Sequence, residues 1–177
     1  MGTLSKYKVD LRGMTEPSAT YEMNVDNEFF AHIEGPEVQK GHADVTTTVT
    51  KKGDKYVLNF DIKGTVIVTC DRCLDEMPQD IETTGTIEVR LGKAFGEDGD
   101  VVVIPEYPGE LNVAWYIYEF VALAIPMKHV HAPGKCNRDM SQRLSSMTVD
   151  EFEEGESAGD GNETDPRWDA LKEILDN

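Results

Sequence analysis

Few residues in this sequence can do chemistry, and they fall in two short segments. The first is Cys70-Asp-Arg-Cys73, which follows the β-branched run from Thr65 to Thr69. The second runs from Val130 through His131 to Cys136, with His129 just before it. Zinc takes four soft or borderline ligands in a tetrahedron, commonly as two close pairs from separate segments. Cys70 and Cys73 offer one pair at a strand end. His131 and Cys136 offer the other, with Pro133-Gly134 permitting the turn, and His129 stands as an alternate ligand or a neighbour. Four protein ligands would close the shell and make the ion structural, not catalytic. Redox use of a Cys-x-x-Cys needs its first sulfur at a helix N-terminus, where the dipole favours thiolate. Here Leu74-Asp-Glu-Met-Pro78 and a further strand follow, which disfavours that use. The spacing leaves three readings open: a zinc site, ordinary structural cysteines, and a redox pair.

Nothing else resembles an active site. The sequence has no phosphate loop, no nucleophile elbow and no His-Glu-x-x-His. Glu76 could be nominated as a base only by its closeness to the cysteines. Glu119, the sole charge in an apolar segment, is expected along the solvent edge. No catalytic residue is assigned.

Charge narrows the partners. The 177 residues carry a formal charge of −17, with 34 acidic and 17 basic side chains. From Leu144 to Asn177 eleven are acidic and two basic, whereas Met127 to Arg143 holds Lys128, Lys135, Arg138 and Arg143 against Asp139 alone. A net negative field opposes binding to bare nucleic acid, whose affinity comes largely from neutralised phosphates. Only a local patch could meet RNA, and Arg72 with this basic segment is the candidate. No run approaches the roughly 18 apolar residues needed to cross a bilayer. The start, MGTLSKYKVDLRGM, has no apolar core of a secretory signal. Three cysteines, an odd number, fit a reducing compartment better than a disulfide framework. The expectation is a cytoplasmic protein without a membrane partner.

The elements that must position these residues are legible in the periodicity. Tyr7, Val9 and Leu11 alternate as a first strand, and Tyr21, Met23 and Val25 as a second. Asp26 caps a short helix carrying Phe29, Phe30 and Ile33, closed by Gly35-Pro36. Val45, Thr47 and Val49 answer Tyr56, Leu58, Phe60 and Ile62 across a hairpin turn at Lys51-Lys52-Gly53-Asp54. Gly64 is expected to break that ladder before the run into Cys70. Ile81 to Leu91 reads as a long strand, Phe95 to Asp100 as a loop, and Val101 to Ile104 as a short strand. From Asn112, a cap, the period becomes helical: Val113, Ile117, Phe120, Val121 and Ala124 share a face that Trp115 and Tyr118 widen, until Pro126 stops it. Glu151 to Glu163 is acidic and glycine-rich, as linkers are. Beyond it Asp165-Pro166 opens a last helix with a Trp168, Leu171, Leu175 stripe.

In their order, four of these signals resemble the YceD-like family, the large ribosomal RNA subunit accumulation proteins. They are Val68-x-Cys-x-Arg-Cys-Leu74, a buried helix leading through Glu119 to Ala124-Ile-Pro126, Val130-His131-x-x-x-x-Cys136, and the closing Asp165-Pro166-x-x-x-x-Leu171 helix. The resemblance covers most of the chain from about Val45 onward. It implies a non-enzymatic ribosome-biogenesis role, in accumulation or processing of large-subunit (23S) ribosomal RNA. The implied partner is that RNA, a precursor ribosome or a basic ribosomal protein. The rival class is a zinc-dependent hydrolase or thiol oxidoreductase at the Cys-x-x-Cys.

The expected fold is α+β: a mainly antiparallel sheet, strongly curved or barrel-like, with one buried helix and a C-terminal helix. Residues 1–148 would form the single domain, 149–164 an acidic linker and 165–177 an amphipathic helix. That helix would dock on its own domain or on a partner. The candidate metal ligands are Cys70, Cys73, His131 and Cys136, and the candidate binding residues are Arg72, Lys128, Lys135, Arg138 and Arg143.

Overall fold

A computed structural model describes residues 3–147. The expected linker at 149–164 and the helix at 165–177 lie outside the described residues. The chain divides into two units, 1–141 and 142–177.

The first unit is built on a six-stranded sheet in the order β2-β3-β4-β5-β7-β6. Its strands are β2 (Ser18–Val25), β3 (Lys40–Lys52), β4 (Lys55–Thr69), β5 (Glu76–Gly92), β6 (Gly96–Asp98) and β7 (Val101–Pro105). All pairings are antiparallel except β5 with β7. A two-stranded sheet pairs β1 (Lys8–Asp10) with β8 (Glu110–Asn112). The expected barrel-like closure is not what forms. β2 and β6 stand at the two ends of the order and do not pair with each other, so the sheet is open.

Alternation decides which face is buried. Val45 and Val49, Leu58, Phe60 and Ile62, Ile81 and Val89 point to one side and are buried there. The opposite side carries Thr46, Asn59, Asp61, Lys63, Thr84 and Thr86, which are exposed. Each large side chain removed from water contributes on the order of 1.5–3 kcal/mol. Helix α1 (Asn27–Ile33) buries Phe29 and Phe30, and Asp26 caps it by accepting the N–H of Phe29 at 2.9 Å. Helix α2 (Ala114–Leu123) buries Ala114, Ile117, Tyr118 and Val121. The expected cap at Asn112 falls one residue early: the N-cap is Val113, with no side-chain cap, and Asn112 accepts only the N–H of Ala114, the first helical residue, at 2.9 Å. Trp115, read as part of the apolar face, is 49% exposed; its indole N–H donates to Glu119 at 2.6 Å, on the wet side of the helix. The third helix, α3 (Arg138–Met147), has no buried residue. Its residues 142–147 belong to the second unit.

Gly64 does not interrupt β4. It pairs with Ala43 and Ile81 in a continuous ladder. A Cβ there would meet the His42 carbonyl oxygen at 2.2 Å, so the glycine lets two backbones approach without a bulge. Two smaller expectations also shift. Tyr7 ends a short 3-10 helix (Thr3–Tyr7) instead of starting β1. Within the expected loop at 95–100, Gly96–Asp98 pairs with β7.

Candidate metal centre

The Cys-x-x-Cys is the connection of a hairpin. The β4–β5 ladder runs to Thr69 opposite Glu76, so Cys70 to Asp75 must turn the chain. The Cys70 N–H donates to the Asp75 carbonyl and the Leu74 N–H to the Cys70 carbonyl, both at 2.9 Å. Closing so tightly puts Leu74 at φ 63°, in the left-handed region that costs a non-glycine residue free energy. Leu74 itself is 66% exposed, so it takes that conformation without packing in the core.

The second segment leaves α2 and crosses this turn. The Asp71 N–H donates to the His129 carbonyl at 3.0 Å, and the His129 N–H donates to the Asp71 carboxylate at 2.7 Å. One residue of the Cys-x-x-Cys thus clasps the loop through both backbone and side chain. The Asn137 side-chain amide donates to the Asp75 carboxylate at 3.3 Å, and its Oδ1 receives the N–H of Asp139 at 3.0 Å. Asn137 therefore ties the segment down just past Cys136 and caps α3.

The clasp brings four ligand-type groups together. The Sγ atoms of Cys70, Cys73 and Cys136 and a ring nitrogen of His131 all lie within 4.8 Å of one another. Cys73 Sγ is 3.3 Å from His131 Nδ1, and Cys70 Sγ is 4.0 Å from Cys136 Sγ. Cys70 and Cys73 are buried, while His131 and Cys136 are half-buried. Three thiols and one imidazole make a donor set suited to a tetrahedral metal ion. These four could hold such an ion with no position left for water. His129 is not among them: its ring packs against the Pro126 carbonyl at 3.0 Å and the Asp71 carboxylate at 3.5 Å.

The electrostatics favour a thiolate at one sulfur. Burial alone would raise the Cys70 thiol, but the backbone N–H groups of Cys73, His131 and Arg72 point at the sulfur and bring it to about 6. The His131 N–H lies 3.4 Å from Cys70 Sγ. Cys136 is pushed up, first by burial and then by sharing hydrogen bonds with Cys73 and Cys70.

Four of the candidate binding residues are exposed on the two segments that form this centre. Arg72 lies in the turn itself, and Lys128, Lys135 and Arg138 lie along the second segment and the start of α3. None of the four forms an ion pair among the described residues. Arg143 is exposed and belongs to the second unit. Glu76 pairs with Lys40 at 2.7 Å, which takes the one nearby carboxylate considered as a base away from the sulfurs.

A comparison with protein families matches residues 58–175 to the family described as large ribosomal RNA subunit accumulation protein YceD. The chain belongs to the YceD family. The part matched begins inside β4 and includes all four ligand-type residues and the basic segment. β1 to β3 and α1 precede it. No curated protein and no solved structure matches the chain. The YceD family name suggests a role in accumulation of large-subunit ribosomal RNA. Among the described residues no helix is long and apolar enough to cross a membrane, which leaves spanning by strands untouched.

Sequence reasoning missed Asp71, Asp75 and Asn137, which hold the two segments together. Asn137 carried a readable signal, a capping residue just before a helix. Asp71 and Asp75 carried none, because a carboxylate in an exposed turn looks the same whether or not a loop crosses it.

Proposed function

We propose that this YceD-family chain is a non-enzymatic ribosome-biogenesis factor that supports accumulation or processing of large-subunit ribosomal RNA. In this reading Cys70, Cys73, His131 and Cys136 hold a structural zinc ion. Arg72, Lys128, Lys135 and Arg138 flank it and, together with Arg143, are the residues that meet ribosomal RNA or a ribosomal protein. The observation that carries the reading is the convergence of four ligand-type groups from segments on either side of α2, with unpaired cations on both segments. A bound zinc would supply cross-linking bonds to a loop whose own apolar packing is slight. It would hold Arg72 in register with Lys128 and Lys135, so that charge reaches a partner as one group. The sheet contributes rigidity, and the acidic sequence after Leu144 limits indiscriminate binding to RNA. The compartment that fits such a role is the cytoplasm.

The test is charge reversal at Lys135, Arg138 and Arg143, read by co-sedimentation with precursor large subunits. Loss of co-sedimentation supports the surface, and unchanged co-sedimentation removes it. A second reading, a thiol oxidoreductase, draws on the lowered Cys70 thiol and the nearby Cys136 sulfur. Metal analysis with thiol titration separates the two. Bound zinc with unreactive thiols supports the structural centre, and reactive thiols without metal support redox use.

A further inference from the structure

The end of the sheet remote from the cysteines carries two cations, Arg12 and Lys93, with no carboxylate partner among the described residues, and exposed aromatic rings; the Arg12 guanidinium donates to the Glu106 carbonyl at 3.5 Å. β5 ends at Gly92 and β7 at Pro105, which pair with each other. The Glu106 N–H donates to the Gly92 carbonyl at 2.9 Å and holds the following loops side by side. Lys93 and Phe95 lie on one loop and Tyr107 on the other. Arg12 comes from the segment after β1. Its backbone N–H and that of Leu11 donate to the Gly109 carbonyl at 3.4 and 3.0 Å. Its guanidinium carbon stands 5.5 Å from the centre of the Tyr107 ring.

Two features of this corner call for a partner. Phe95 is 68% and Tyr107 83% exposed, although each ring would stabilise the fold if buried. Six cations elsewhere are matched by carboxylates within 4.0 Å: Lys6, Lys8, Lys40, Lys55, Lys63 and Arg90. Arg12 and Lys93 have no such match among the described residues. Of the carboxylates in this region, Glu88 pairs with Lys55, Asp98 with Arg90 and Glu110 with Lys8. Glu97, Asp100 and Glu106 are exposed and form no ion pair among the described residues, so the aromatic rings and not net charge mark the corner.

We propose that Arg12, Lys93, Phe95 and Tyr107 form a stacking surface for unpaired bases of single-stranded RNA. An aromatic ring offers any base a face to stack on, and a guanidinium or ammonium beside it meets the adjoining phosphate. Arg12, whose guanidinium lies beside one face of the Tyr107 ring, is the cation placed to meet that phosphate. A duplex is a poor ligand here, since its bases are already stacked and its deep major groove is closed to side chains. The surface does not depend on the Cys/His centre. One lies beyond Gly92, next to the Lys55 end of β4, and the other beyond Thr69.

The test uses the full-length protein with a short fluorescein-labelled single-stranded RNA of mixed sequence, and the same RNA as a duplex, at low and moderate salt. The single strand is expected to bind more tightly than the duplex. Phe95→Ala and Tyr107→Ala should each weaken it by about five- to 150-fold, the range that one stacked base supplies. Arg12→Ala should weaken it and also flatten the salt dependence by a slope of about 0.7, the single-strand value per phosphate contact, with Arg12→Lys restoring the slope. Thiouridine-substituted RNA should cross-link to the peptides that hold Phe95 and Tyr107. Lys135→Glu with Arg138→Glu tests the other surface and should leave this cross-link in place. The proposal is overturned if the duplex binds as well as the single strand, or if Phe95→Ala/Tyr107→Ala binds RNA like the wild type. It is also overturned if these variants abolish capture of a ribosomal protein and leave RNA affinity unchanged, which would make the corner a protein interface.

Discussion

Cys73 Sγ and His131 Nδ1 lie 3.3 Å apart although the two residues are 58 positions apart in the chain. The contact joins the β4–β5 turn to the segment after α2, so it reports on how those two parts of the chain are brought together. With a zinc ion at this point, one metal per chain is expected from elemental analysis, and none after Cys73→Ser. At free zinc about a thousandfold above Kd, binding stabilises the folded state by about 4 kcal/mol. Each kcal/mol moves the Tm of a domain this size by roughly 2–4 °C. Chelation should therefore lower Tm by about 8–16 °C in the wild type and leave Cys73→Ser where it was.

Asp71 is the residue that turns proximity into a clasp. Its carboxylate accepts the His129 N–H at 2.7 Å without touching the four ligand-type groups. Removing a group that orients metal ligands typically costs about 10–100-fold in metal affinity. Asp71→Ala should show that loss in competition with a chromophoric chelator, while still binding one equivalent of zinc. An unchanged affinity would mean that the Asp71 carboxylate does not position the ligands.

The metal-free chain has its own pH dependence. Cys70 is lowered from an ordinary 9 to about 6, against burial, by the N–H groups aimed at it. The folded state therefore favours the thiolate more than the unfolded state does. Its contribution is complete above pH 9, declines as the pH falls, and is gone below about 6. Under chelation, the Tm advantage of wild type over Cys70→Ser should shrink as pH is taken from 9 to 6. The Cys70 thiolate ultraviolet absorbance of the folded protein should fall around pH 6 and not near 9.

Gly85 sits where α2 meets β5. A Cβ there would lie 2.4 Å from the Phe120 ring, which also stacks 5.3 Å from Phe60. Gly85→Ala should cost about 1–3 kcal/mol by overpacking. Phe120→Leu frees the space the methyl needs, so the double variant should be more stable than the sum of the singles. A coupling of 0.5–3 kcal/mol in a denaturation cycle would show this, and additivity would refute the contact.

Thr47 offers the opposite sign. Its hydroxyl is buried on the inner face of β3 with no hydrogen-bond partner among the described residues. Thr47→Val keeps the shape and removes an unsatisfied group worth roughly 1–3 kcal/mol when buried. The expected result is a Tm higher by a few degrees. A fall would mean that the hydroxyl has a bonding partner in solution.

Much of this structure was legible because its signals are local. The alternation of Val45, Thr47 and Val49 against Leu58, Phe60 and Ile62 marks two strands and their buried face, and Asp26 caps its helix as its side chain predicts, while Asn112 marks the start of α2 to within one residue. The two ligand-type pairs could be nominated from residue type and spacing. What spacing could not convey was depth: it favoured His131 over His129, and the structure adds the reason, since the Asp71 clasp holds His129 away from the sulfurs. Gly64 misled for a related reason. A glycine reads as a break when seen alone, yet here it serves two neighbouring strands that are distant in sequence. The barrel failed similarly, since closure depends on whether the end strands β2 and β6 meet.

The unbroken ladder between β4 and β5 also sets a distance. From Lys55 opposite Arg90 to Thr69 opposite Glu76 it holds 15 residues of β4 in register. At about 3.3 Å per residue, the hairpin is a ruler of at most about 50 Å. The Cys/His turn lies at one end and the Arg12–Tyr107 corner near the other. Two weak contacts held so far apart act together only on a ligand large enough to reach both, and for that ligand the second contact comes at high effective concentration. Short RNAs would sample one end at a time, while a folded particle could engage both and gain avidity. Discrimination by size would then follow from strand length, without any base being read.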